Sequence, residues 1–421
     1  MAKTQRPRTL STGKKRGIAK KSVAAPRSKT TAAPSAKSAV ATRTKSTAVR
    51  VFTTASAVKV PLEQIRERID SVDSQLHALI NERARLAQQV GVSKHAAGHT
   101  VDFYRPERES QVLRLALQRN QEEGAPLRDE EVLRLFREIM SACLAQQNAL
   151  KIGYLGPEGT FTQQAVLKYF GHSVRPLPLT SVEEVFHEVE SGAADFGVVP
   201  IENSTEGTVN NTLDMFLTSP LKIIGEVELR IHQNLMGRMT MLGDIRRVCG
   251  HPQSLAQCRG WLQEHMPTVE RVIVSSNAEG ARRARDEDGT AAIAGAAAAE
   301  VYGLNLLVPE VEDRPDNTTR FLVIGRKAVS PGEADKTTLL VSAAKTDAPG
   351  ALYRLLEPLA QHGISLTRIE SRPSRKKKWD YVFFIDVEGH AEREPLATAL
   401  AELKRRASLY RVVGAYPKAI L

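Results

Sequence analysis

The chain has 421 residues, of which 42% are hydrophobic and 25% charged, and its formal net charge is +11. One hydrophobic core rarely serves more than about 250–300 residues, so more than one domain is expected. No run of about 18 apolar residues occurs, which argues against a transmembrane helix. Three cysteines, Cys143, Cys249 and Cys258, fit a reducing, cytoplasmic compartment, and all three are interpreted as buried thiols.

The excess positive charge lies at the N-terminus. Residues 1–60 contain 15 Lys or Arg and no Asp or Glu, whereas the remaining residues contain 44 basic and 48 acidic side chains. The segment is rich in Ala, Ser, Thr, Lys and Pro, so residues 1–58 are predicted to form a disordered, solvated tail. An organellar transit peptide and an arm that binds nucleic acid or another polyanion stay open as alternatives.

Helical periodicity marks residues 59–150. Apolar residues recur every three or four positions from Ile65 to Val90 and predict a long amphipathic helix. A second helix is predicted over Pro106–Glu122, with proline near its first turn, and a third over about Leu127–Leu150. Three helices of such unequal length make a poor core alone, so the pattern favours an intertwined dimer.

The pattern changes at Lys151. KIGYLG is followed by the loop GPEGTFT, and DFGVVPIENS repeats the order of apolar strand and polar loop. This alternation predicts an α/β domain over residues 151–327, with parallel strands and ligands at their carboxyl ends. After the linker KAVSPGEADK, residues 337–417 follow a βαββα pattern with a possible last strand, which predicts a ferredoxin-like module.

Several basic side chains of the helical region could face an anion. Arg83 and Lys94 are eleven positions apart and share a helix face, whereas Arg66 and Arg83 are seventeen apart and face different ways. A second chain could bring Arg66 and Arg83 together. The spacing alone favours ordinary solvated helix charges.

Residues 317–321 read Asn-Thr-Thr-Arg-Phe and lead into the apolar segment LVIG. One interpretation is turn chemistry, since Asn and Thr favour turns and caps. The other is an active-site hydroxyl beside an arginine that binds an anion. The five residues leave both interpretations open.

The segment PLEQIRERIDSVDSQLHALINERARLAQQVGVSK, followed by RPERE and SACLAQQ, resembles the all-helical chorismate mutase family. GYLGPEGTFT, GVVPIENSTEGTV, GHPQSLAQC and NTTRF resemble prephenate dehydratase, and PGAL with ESRP resembles the ACT regulatory domain attached to that enzyme. Their order is that of the bifunctional bacterial P-protein. The resemblance covers residues 61–417 and implies an intertwined mutase dimer, a two-lobed dehydratase domain like a periplasmic binding protein, and a ferredoxin-like ACT domain.

The resemblance implies that the protein catalyses two consecutive steps of phenylalanine biosynthesis: chorismate to prephenate, then prephenate to phenylpyruvate. Feedback inhibition by phenylalanine is expected through the ACT domain, and no metal or organic cofactor is expected. One alternative is an arogenate dehydratase. Another is a ligand sensor in which the α/β domain only binds, and the intact Thr-Arg-Phe argues against it.

At the mutase site, the enzyme must hold a compact chorismate conformer and stabilise charge growing on the ether oxygen. The resemblance implies a set of polar side chains for this work. The carboxylates fall to Arg66 of the partner chain and Arg83, the ether oxygen to Lys94 and Gln146, the substrate hydroxyl to Glu109, and the ordering of the site to Arg108. Arg105 and Ala142 depart from the residues of some relatives and put secondary contacts in doubt.

At the dehydratase site, a ring hydroxyl must be expelled as CO2 leaves, which needs an acid near the leaving oxygen and groups that bind carboxylates. The resemblance makes Thr319 the candidate proton donor and Arg320 a candidate carboxylate ligand. His251 is expected to be structural, or a substrate contact at best. Further residues are expected to line the substrate cleft: Thr160, Asn203, Ser204 and Thr205.

In the ACT-like module, two segments resemble the phenylalanine site, which usually forms between paired chains. The first opens a helix and leaves room for a ligand's backbone: Gly350, Ala351 and Leu352. The second is predicted as a strand-end turn: Glu370, Ser371, Arg372 and Pro373. Helix-end amides and a nearby acid suit the two charged groups of an amino acid.

Overall fold

The computed structural model describes residues 60–96, 104–122, 124–343, 349–374 and 381–420, with the backbone alone for 94–96. The predicted N-terminal tail therefore lies outside the described residues. Residues 60–64 belong to a separate N-terminal unit, and the contacts below all lie within Ile65–Leu421.

The chain begins with the helices α1 (Leu62–Ala96), α2 (Pro106–Glu122) and α3 (Asp129–Ala145). The bounds of α2 agree with the prediction, since its proline starts the helix and acidic residues occupy its first turn. Helix α3 is shorter than predicted. Arg128 before it is extended, and by Leu150 the backbone has joined a sheet, where its carbonyl accepts from Arg175 N–H.

Helix α1 exposes its apolar side chains, whereas α2 and α3 bury Leu113 and Leu133. Just past α3, Gln147 Nε2 donates to the Ala87 carbonyl oxygen at 2.6 Å and fastens α1 to the other helices. The exposed set is called the α1 stripe, and each member is at least 41% exposed. It comprises Ile65, Ile69, Val72, Leu76, Leu79, Ile80, Leu86 and Val90. No described part of the chain covers this stripe.

Two sheets and their helices form the α/β region. The first lobe contains β1 (Lys151–Leu155), α4 (Phe161–Phe170), β2 (Arg175–Leu179), α5 (Val182–Ser191), β3 (Phe196–Asn203), β4 (Gly207–Thr208), α6 (Asn210–Thr218) and β5 (Lys222–Arg230). The second contains β6 (Asn234–Gly237), β7 (Arg247–Gly250), α7 (Pro252–Gln257), α8 (Arg259–His265), β8 (Glu270–Ile273), α9 (Asn277–Asp286), β9 (Thr290–Ala294), α10 (Ala296–Tyr302) and β10 (Asn305–Val308). The chain then returns to the first lobe as β11 (Thr318–Gly325).

Both sheets contain the predicted parallel strands, and antiparallel strands join them, so both are mixed. The first has the order β2-β1-β3-β11-β5, with β4 also on β3, and the second β10-β6-β9-β7-β8. Strands β2, β1 and β3 are parallel, as are β8, β7 and β9. Strand β11 runs antiparallel to both β3 and β5. Its first residues therefore lie at the edge where β3 ends, with Thr319 paired to Asn203.

The last module contains β12 (Asp335–Ala343), α11 (Ala351–Gln361), β13 (Leu366–Pro373), β14 (Tyr381–Glu388), α12 (Leu396–Arg406) and β15 (Ala407–Pro417). Its sheet is antiparallel in the order β13-β14-β12-β15, which confirms the ferredoxin-like pattern and its last strand. One face shares a hydrophobic core with the first lobe, where Phe384 and Tyr416 join Phe216 and Ile223. A Cβ on Gly414 would overlap the Ile223 carbonyl oxygen, so the two backbones touch.

Candidate active sites

A cleft of about 470 Å³ lies between the two lobes of the α/β region. The carboxyl ends of parallel strands and the first turns of several helices open into it, as is usual for ligand sites in such sheets. Its polar lining is rich in amides and hydroxyls and comprises Thr160, Thr162, Thr180, Asn203, Gln233, His251, Gln253, Ser254, Gln257, Ser275, Ser276, Asn277, Asn317 and Thr319. No Asp or Glu is among the described lining residues.

The orientation of Asn203 follows from its hydrogen bonds. Its Oδ1 accepts from the backbone N–H groups of Thr205 and Glu206, at 2.9 and 3.0 Å. The amide nitrogen therefore points the other way and donates to Thr319 Oγ1 and Asn317 Oδ1, each at 2.8 Å. Since Thr319 Oγ1 accepts from Asn203, its own O–H is left to donate, and no described residue accepts it.

A chain of amides continues from Asn203 across the floor of the cleft. Asn317 is buried, and its Nδ2 donates to Gln257 Oε1 at 3.1 Å. Gln233 Nε2 donates to the same oxygen at 3.2 Å. Gln257 Nε2 and Gln233 Oε1 are buried and have no protein partner, which leaves one donor and one acceptor for a ligand.

Helix α4 points its N-terminus at the cleft. Thr160 precedes the helix but does not cap it, because its hydroxyl donates to the Leu155 carbonyl oxygen at 3.2 Å. The first-turn N–H groups are therefore available to an anion, which the helix dipole also favours. His251 Nδ1 accepts from Gln253 N–H and caps α7, in keeping with the structural role expected for it.

The structure separates the residues that the sequence assigns to prephenate. Thr160, Asn203 and Thr319 line the cleft. Ser204 instead holds the loop, since its Oγ accepts from Thr318 N–H at 3.0 Å. Thr205 also lies outside the lining, with its hydroxyl 3.5 Å from Asn317 Oδ1.

The prediction that Arg320 binds a substrate carboxylate is wrong, because its side chain points away from the cleft. Successive residues of a strand face opposite sides of the sheet, so Arg320 lies on the face opposite Thr319. Its Nε bonds Glu226 at 2.7 Å and its Nη1 bonds Asp386 at 2.8 Å. The side chain is 12% exposed, so it does not reach the cleft as a carboxylate ligand.

In the helical region, Glu109 lies in a small recess against the first lobe. Its side chain is 17% exposed, and Arg137 Nε is 4.0 Å from its Oε1. Burial raises the pKa of Glu109 to about 7, although Arg137, a hydrogen bond with Tyr104 and the charge of Arg83 all act to lower it. Arg137 Nε has no hydrogen-bond partner. The recess therefore holds a carboxyl and an unpaired guanidinium donor side by side.

The remaining mutase candidates are not gathered around Glu109 in one chain. Arg66 is exposed and lies seventeen residues before Arg83, which corresponds to about 26 Å along a helix. Arg108 is exposed, and its Nη1 donates to Gln111 Oε1 at 2.5 Å. Gln146 is exposed just past α3, and the side chain of Lys94 lies outside the described residues.

Arg137, Asn317 and Gln257 are candidate site residues that sequence reasoning missed. Asn317 and Gln257 stand inside quoted motifs, but only the folded backbone shows that their amides meet. Arg137 is nine positions before Gln146, about half a turn out of phase on a helix, so spacing offered no signal.

The ACT-like segments differ from the prediction in one respect. Gly350 has φ 74° and precedes α11, which begins at Ala351, and Leu352 follows half-buried. The second segment, Glu370–Pro373, is regular strand β13 and not a turn.

Two side chains of that segment bind the first lobe. Arg372 pairs with Asp214 at 2.7 Å, and Glu370 Oε2 accepts from Thr208 Oγ1 at 2.9 Å. Ser371 and Pro373 are exposed. Within this strand, alternate residues therefore face the first lobe and the solvent.

All three cysteines are free and buried, as expected. Among the described residues, no group of three or more His, Cys, Asp or Glu is placed to hold a metal ion. The described part of the chain also contains no helix with the length and apolarity needed to cross a membrane.

Three family models match the chain in succession. They are chorismate mutase type II over residues 65–148, prephenate dehydratase over 152–329 and the ACT domain over 337–405. The bifunctional chorismate mutase/prephenate dehydratase of Pseudomonas aeruginosa is 53% identical over 364 residues, 86% of this chain and 98% of that protein. The protein of the same name from Aquifex aeolicus is 44% identical over 361 residues, 86% of this chain and 99% of that protein.

Among solved structures, the crystal structure of prephenate dehydratase from Arthrobacter aurescens in complex with L-Phe is 39% identical. It matches with a TM-score of 0.60 over 64% of this chain and 90% of that chain. The three family models follow one another along the chain, and the chain covers nearly the whole length of the two bacterial relatives. The chain therefore belongs to the bifunctional chorismate mutase/prephenate dehydratase family, and it carries both catalytic domains followed by an ACT domain.

Proposed function

We propose that the chain runs two consecutive reactions at two separate sites. The helical region rearranges chorismate to prephenate, and the cleft between the lobes converts prephenate to phenylpyruvate, CO2 and water. The observation that carries the second assignment is the Thr319 hydroxyl, which accepts from Asn203 Nδ2 at 2.8 Å and so keeps its proton for the substrate.

At the cleft, Thr319 donates to the ring hydroxyl as the bond between that oxygen and the ring breaks. The electron pair of the bond to the departing carboxylate enters the ring, which becomes aromatic as CO2 leaves. A free threonine is a very weak acid, so Asn203 Nδ2 stabilises the charge left on Thr319 Oγ1 as its proton moves to the leaving oxygen, and Thr319 then regains a proton from solvent. Asn203 is itself fixed by two backbone N–H groups and needs no reorganisation during the reaction.

Prephenate carries two carboxylates, and the cleft offers neutral donors for them. The uncapped first turn of α4 supplies backbone N–H groups, and Gln257 Nε2 supplies a buried amide donor. An arogenate substrate carries an ammonium group, for which a carboxylate would be the natural partner. The described lining contains none, so the cleft favours prephenate over arogenate.

The mutase site is proposed to be completed by a second copy of the chain. The charge of Arg83 lowers the pKa of Glu109, whereas Arg66 lies about 26 Å from Arg83 along α1 and does not join it in the same chain. An antiparallel partner helix covering the α1 stripe would bring its own Arg66 to this site. We retain Lys94, Gln146 and Arg108 as proposed contacts of chorismate in that dimer.

Phenylalanine is the proposed effector of the ACT domain. The Arthrobacter aurescens relative was solved with L-Phe, and the PGAL and ESRP segments of this chain resemble the phenylalanine site of ACT domains. The three free cysteines suit a reducing compartment, so we place the enzyme in the cytoplasm.

One assay tests both catalytic assignments: phenylpyruvate formation from chorismate by the full chain. Thr319→Ala should accumulate prephenate, and Arg83→Ala should leave chorismate unconsumed while still converting added prephenate. Conversion of prephenate but not chorismate by the wild type would remove the mutase proposal. Consumption of neither substrate would remove both and favour a ligand sensor.

A further inference from the structure

Strands β3 and β11 carry two neighbouring cross-strand pairs whose side chains lie on opposite faces of the sheet. Thr319 is paired with Asn203, and Arg320 is paired with Glu202. Side chains alternate along a strand, so consecutive residues face opposite sides of the sheet. Asn203 and Thr319 face the cleft, whereas Glu202 and Arg320 meet the ACT sheet.

Arg320 forms the first link to the ACT sheet. Its Nη1 bonds Asp386 of β14 at 2.8 Å, and its Nη2 donates to the Tyr416 hydroxyl of β15 at 3.1 Å. Asp386 is 3% exposed, and its second oxygen accepts from Thr338 Oγ1 at 2.7 Å. With Glu226 on its Nε, the guanidinium is held at three points by buried partners and has a single favoured position.

Glu202 forms the second link. Its Oε2 lies 3.0 Å from Arg368 Nε of β13, and 4.0 Å from Arg320 Nη1. Arg368 is 9% exposed and also donates to Thr208 Oγ1 at 3.0 Å. Thr208 in turn donates to Glu370, which belongs to the segment expected to hold the effector.

Further ion pairs surround these links. Glu226 of β5 is 2% exposed and binds both Arg320 and Lys336, at 2.7 and 2.8 Å. Three cations therefore face four carboxylates between the two sheets, since Glu370 Oε2 also lies 3.9 Å from Arg368 Nη2. An ionic network whose cations are largely buried and paired resists small distortions, because a shift leaves a charge without its partner. A movement of the ACT sheet must therefore move Arg320 and Glu202 as well.

We propose that Arg320 and Glu202 are positioning residues that make the orientation of Thr319 and Asn203 depend on the state of the ACT sheet. They touch no substrate and act through the residue next to each of them. The effector part of this proposal rests on the proposed phenylalanine site. The positioning part rests only on the dehydratase cleft.

Asp386→Asn is the sharpest test, since it keeps the size of the side chain and removes the charge that holds Arg320. Glu202→Gln, at a residue 40% exposed, is a second variant that avoids a buried substitution. Lys222→Met is the matched control. Lys222 Nζ also crosses to the ACT sheet, at 2.9 Å from the Val412 carbonyl oxygen, but it is paired with Gly325 at the far end of β11.

For each full-length variant, four quantities are measured: kcat and KM for prephenate, the phenylalanine concentration for half inhibition, phenylalanine affinity by calorimetry, and chorismate consumption as a check on folding. Allosteric coupling is typically worth about 5–150-fold. Asp386→Asn and Glu202→Gln should lower kcat with KM little changed, and weaken inhibition by at least about fivefold without loss of phenylalanine affinity. Lys222→Met should match the wild type in kcat and in inhibition.

Three results would overturn the proposal. The first is equal inhibition of all variants and the wild type together with unchanged kcat. The second is a loss of inhibition in Lys222→Met as large as in Asp386→Asn, which would mean general loosening of the interface. The third is a matching loss of phenylalanine affinity, which would make the carboxylates effector ligands.

Failure of the proposed effector has a different signature. If the wild type binds no phenylalanine, that assignment fails, and positioning is then decided by kcat alone. A lower kcat in Asp386→Asn supports positioning, and an unchanged kcat refutes it. Arg320→Lys is a further check, because lysine keeps the charge but not the three-point geometry. Its kcat for prephenate should be lower than that of the wild type.

Discussion

The dehydratase cleft and the mutase helices differ in how much of each site one chain supplies. In the cleft, Asn203, Asn317, Gln257 and Thr319 form a connected network within one chain. In the helices, the charge of Arg83 lowers the pKa of Glu109, but Arg66 lies about 26 Å from Arg83 along α1. The two regions thus teach that neighbouring domains of one chain can depend differently on assembly.

The burial of apolar side chains follows the same division. In the first lobe, Phe186 and Phe216 are fully buried. The α1 stripe leaves eight apolar side chains at least 41% exposed. Burying them would contribute roughly 25 cal/mol of favourable free energy for each Å² of apolar surface removed from water. Binding of a second chain at the α1 stripe would therefore be favoured.

The largest effect expected is the separation of the two activities by Thr319→Val. Valine keeps the shape of threonine and removes the hydroxyl, so phenylpyruvate formation should fall by about 10²–10⁴, the usual range for a general acid. Mutase activity should not change. The measurement is kcat for each half-reaction, with Thr319→Ser as the control that restores a hydroxyl. Retained turnover by the valine variant would end the assignment.

The reverse separation is expected from Leu76→Glu in the α1 stripe, which is half exposed in one chain. If a partner helix covers this position, the new charge opposes assembly by a few kcal/mol, equivalent to about 10²-fold in association. Mutase activity should fall steeply and recover at high protein concentration, while dehydratase activity stays constant. Glu82→Gln, a polar change on the same helix, is a control, and light scattering gives the oligomeric state. A mutase active as a monomer would contradict the dimer.

A smaller effect should come from Asn317→Ala within the cleft network. Asn317 is 3% exposed and bonds both Asn203 and Gln257. Its loss leaves buried amides unpaired, which costs about 1–3 kcal/mol of stability. Thermal unfolding with kcat for prephenate checks this result, and the mutase rate should follow only the stability. A variant as stable and as active as the wild type would show that the network is dispensable.

The smallest effect concerns pH and again separates the two regions. In its proposed role, Glu109 accepts from the substrate hydroxyl most strongly when ionised, and burial raises its pKa to about 7. Mutase kcat/KM should therefore rise with pH and level off above about 7, with a slope of about tenfold per unit well below it. The described cleft lining has no carboxylate, so dehydratase activity should lack this limb. Glu109→Gln should abolish the limb, and its persistence would assign it to another group.

The same raised pKa has a consequence for stability. The native state keeps the Glu109 proton to about pH 7, whereas the unfolded chain loses it near 4.5. This contribution to stability is therefore complete below about 4.5 and is lost as pH rises through about 7. Denaturant midpoints of the wild type and Glu109→Gln across this window measure it.

Local signals in the sequence predicted much of the fold. The bounds of α2 follow from Pro106 and the acidic residues after it, and the ACT-like strands follow from their alternation. The direction of β11 could not be read in this way, because the partners of a strand depend on which lobe the chain enters next. Yet that direction is what brings Thr319 to the end of β3.

The sites were predictable to the extent that their residues act locally. Thr160, Asn203 and Thr319 reach the cleft from loops and strand ends, where ligands were expected. Arg320 did not follow, because its partners Glu226 and Asp386 are 94 and 66 residues away in sequence. Strand alternation alone places Arg320 on the face opposite Thr319. Its partners on that face become visible only once the ACT sheet is packed against the first lobe.

The contact between Gly414 and Ile223 bears on how such a chain can be inherited. Modules exchanged freely by recombination need polar, undemanding boundaries, so that either part stays folded without the other. Here the regulatory sheet lies so near the catalytic lobe that even a methyl group has no room at Gly414. Each surface constrains the other, and a change on one side must be matched on the other. The dehydratase lobe and its ACT domain should therefore travel through evolution as one piece, while the helices before them remain free to be gained or lost.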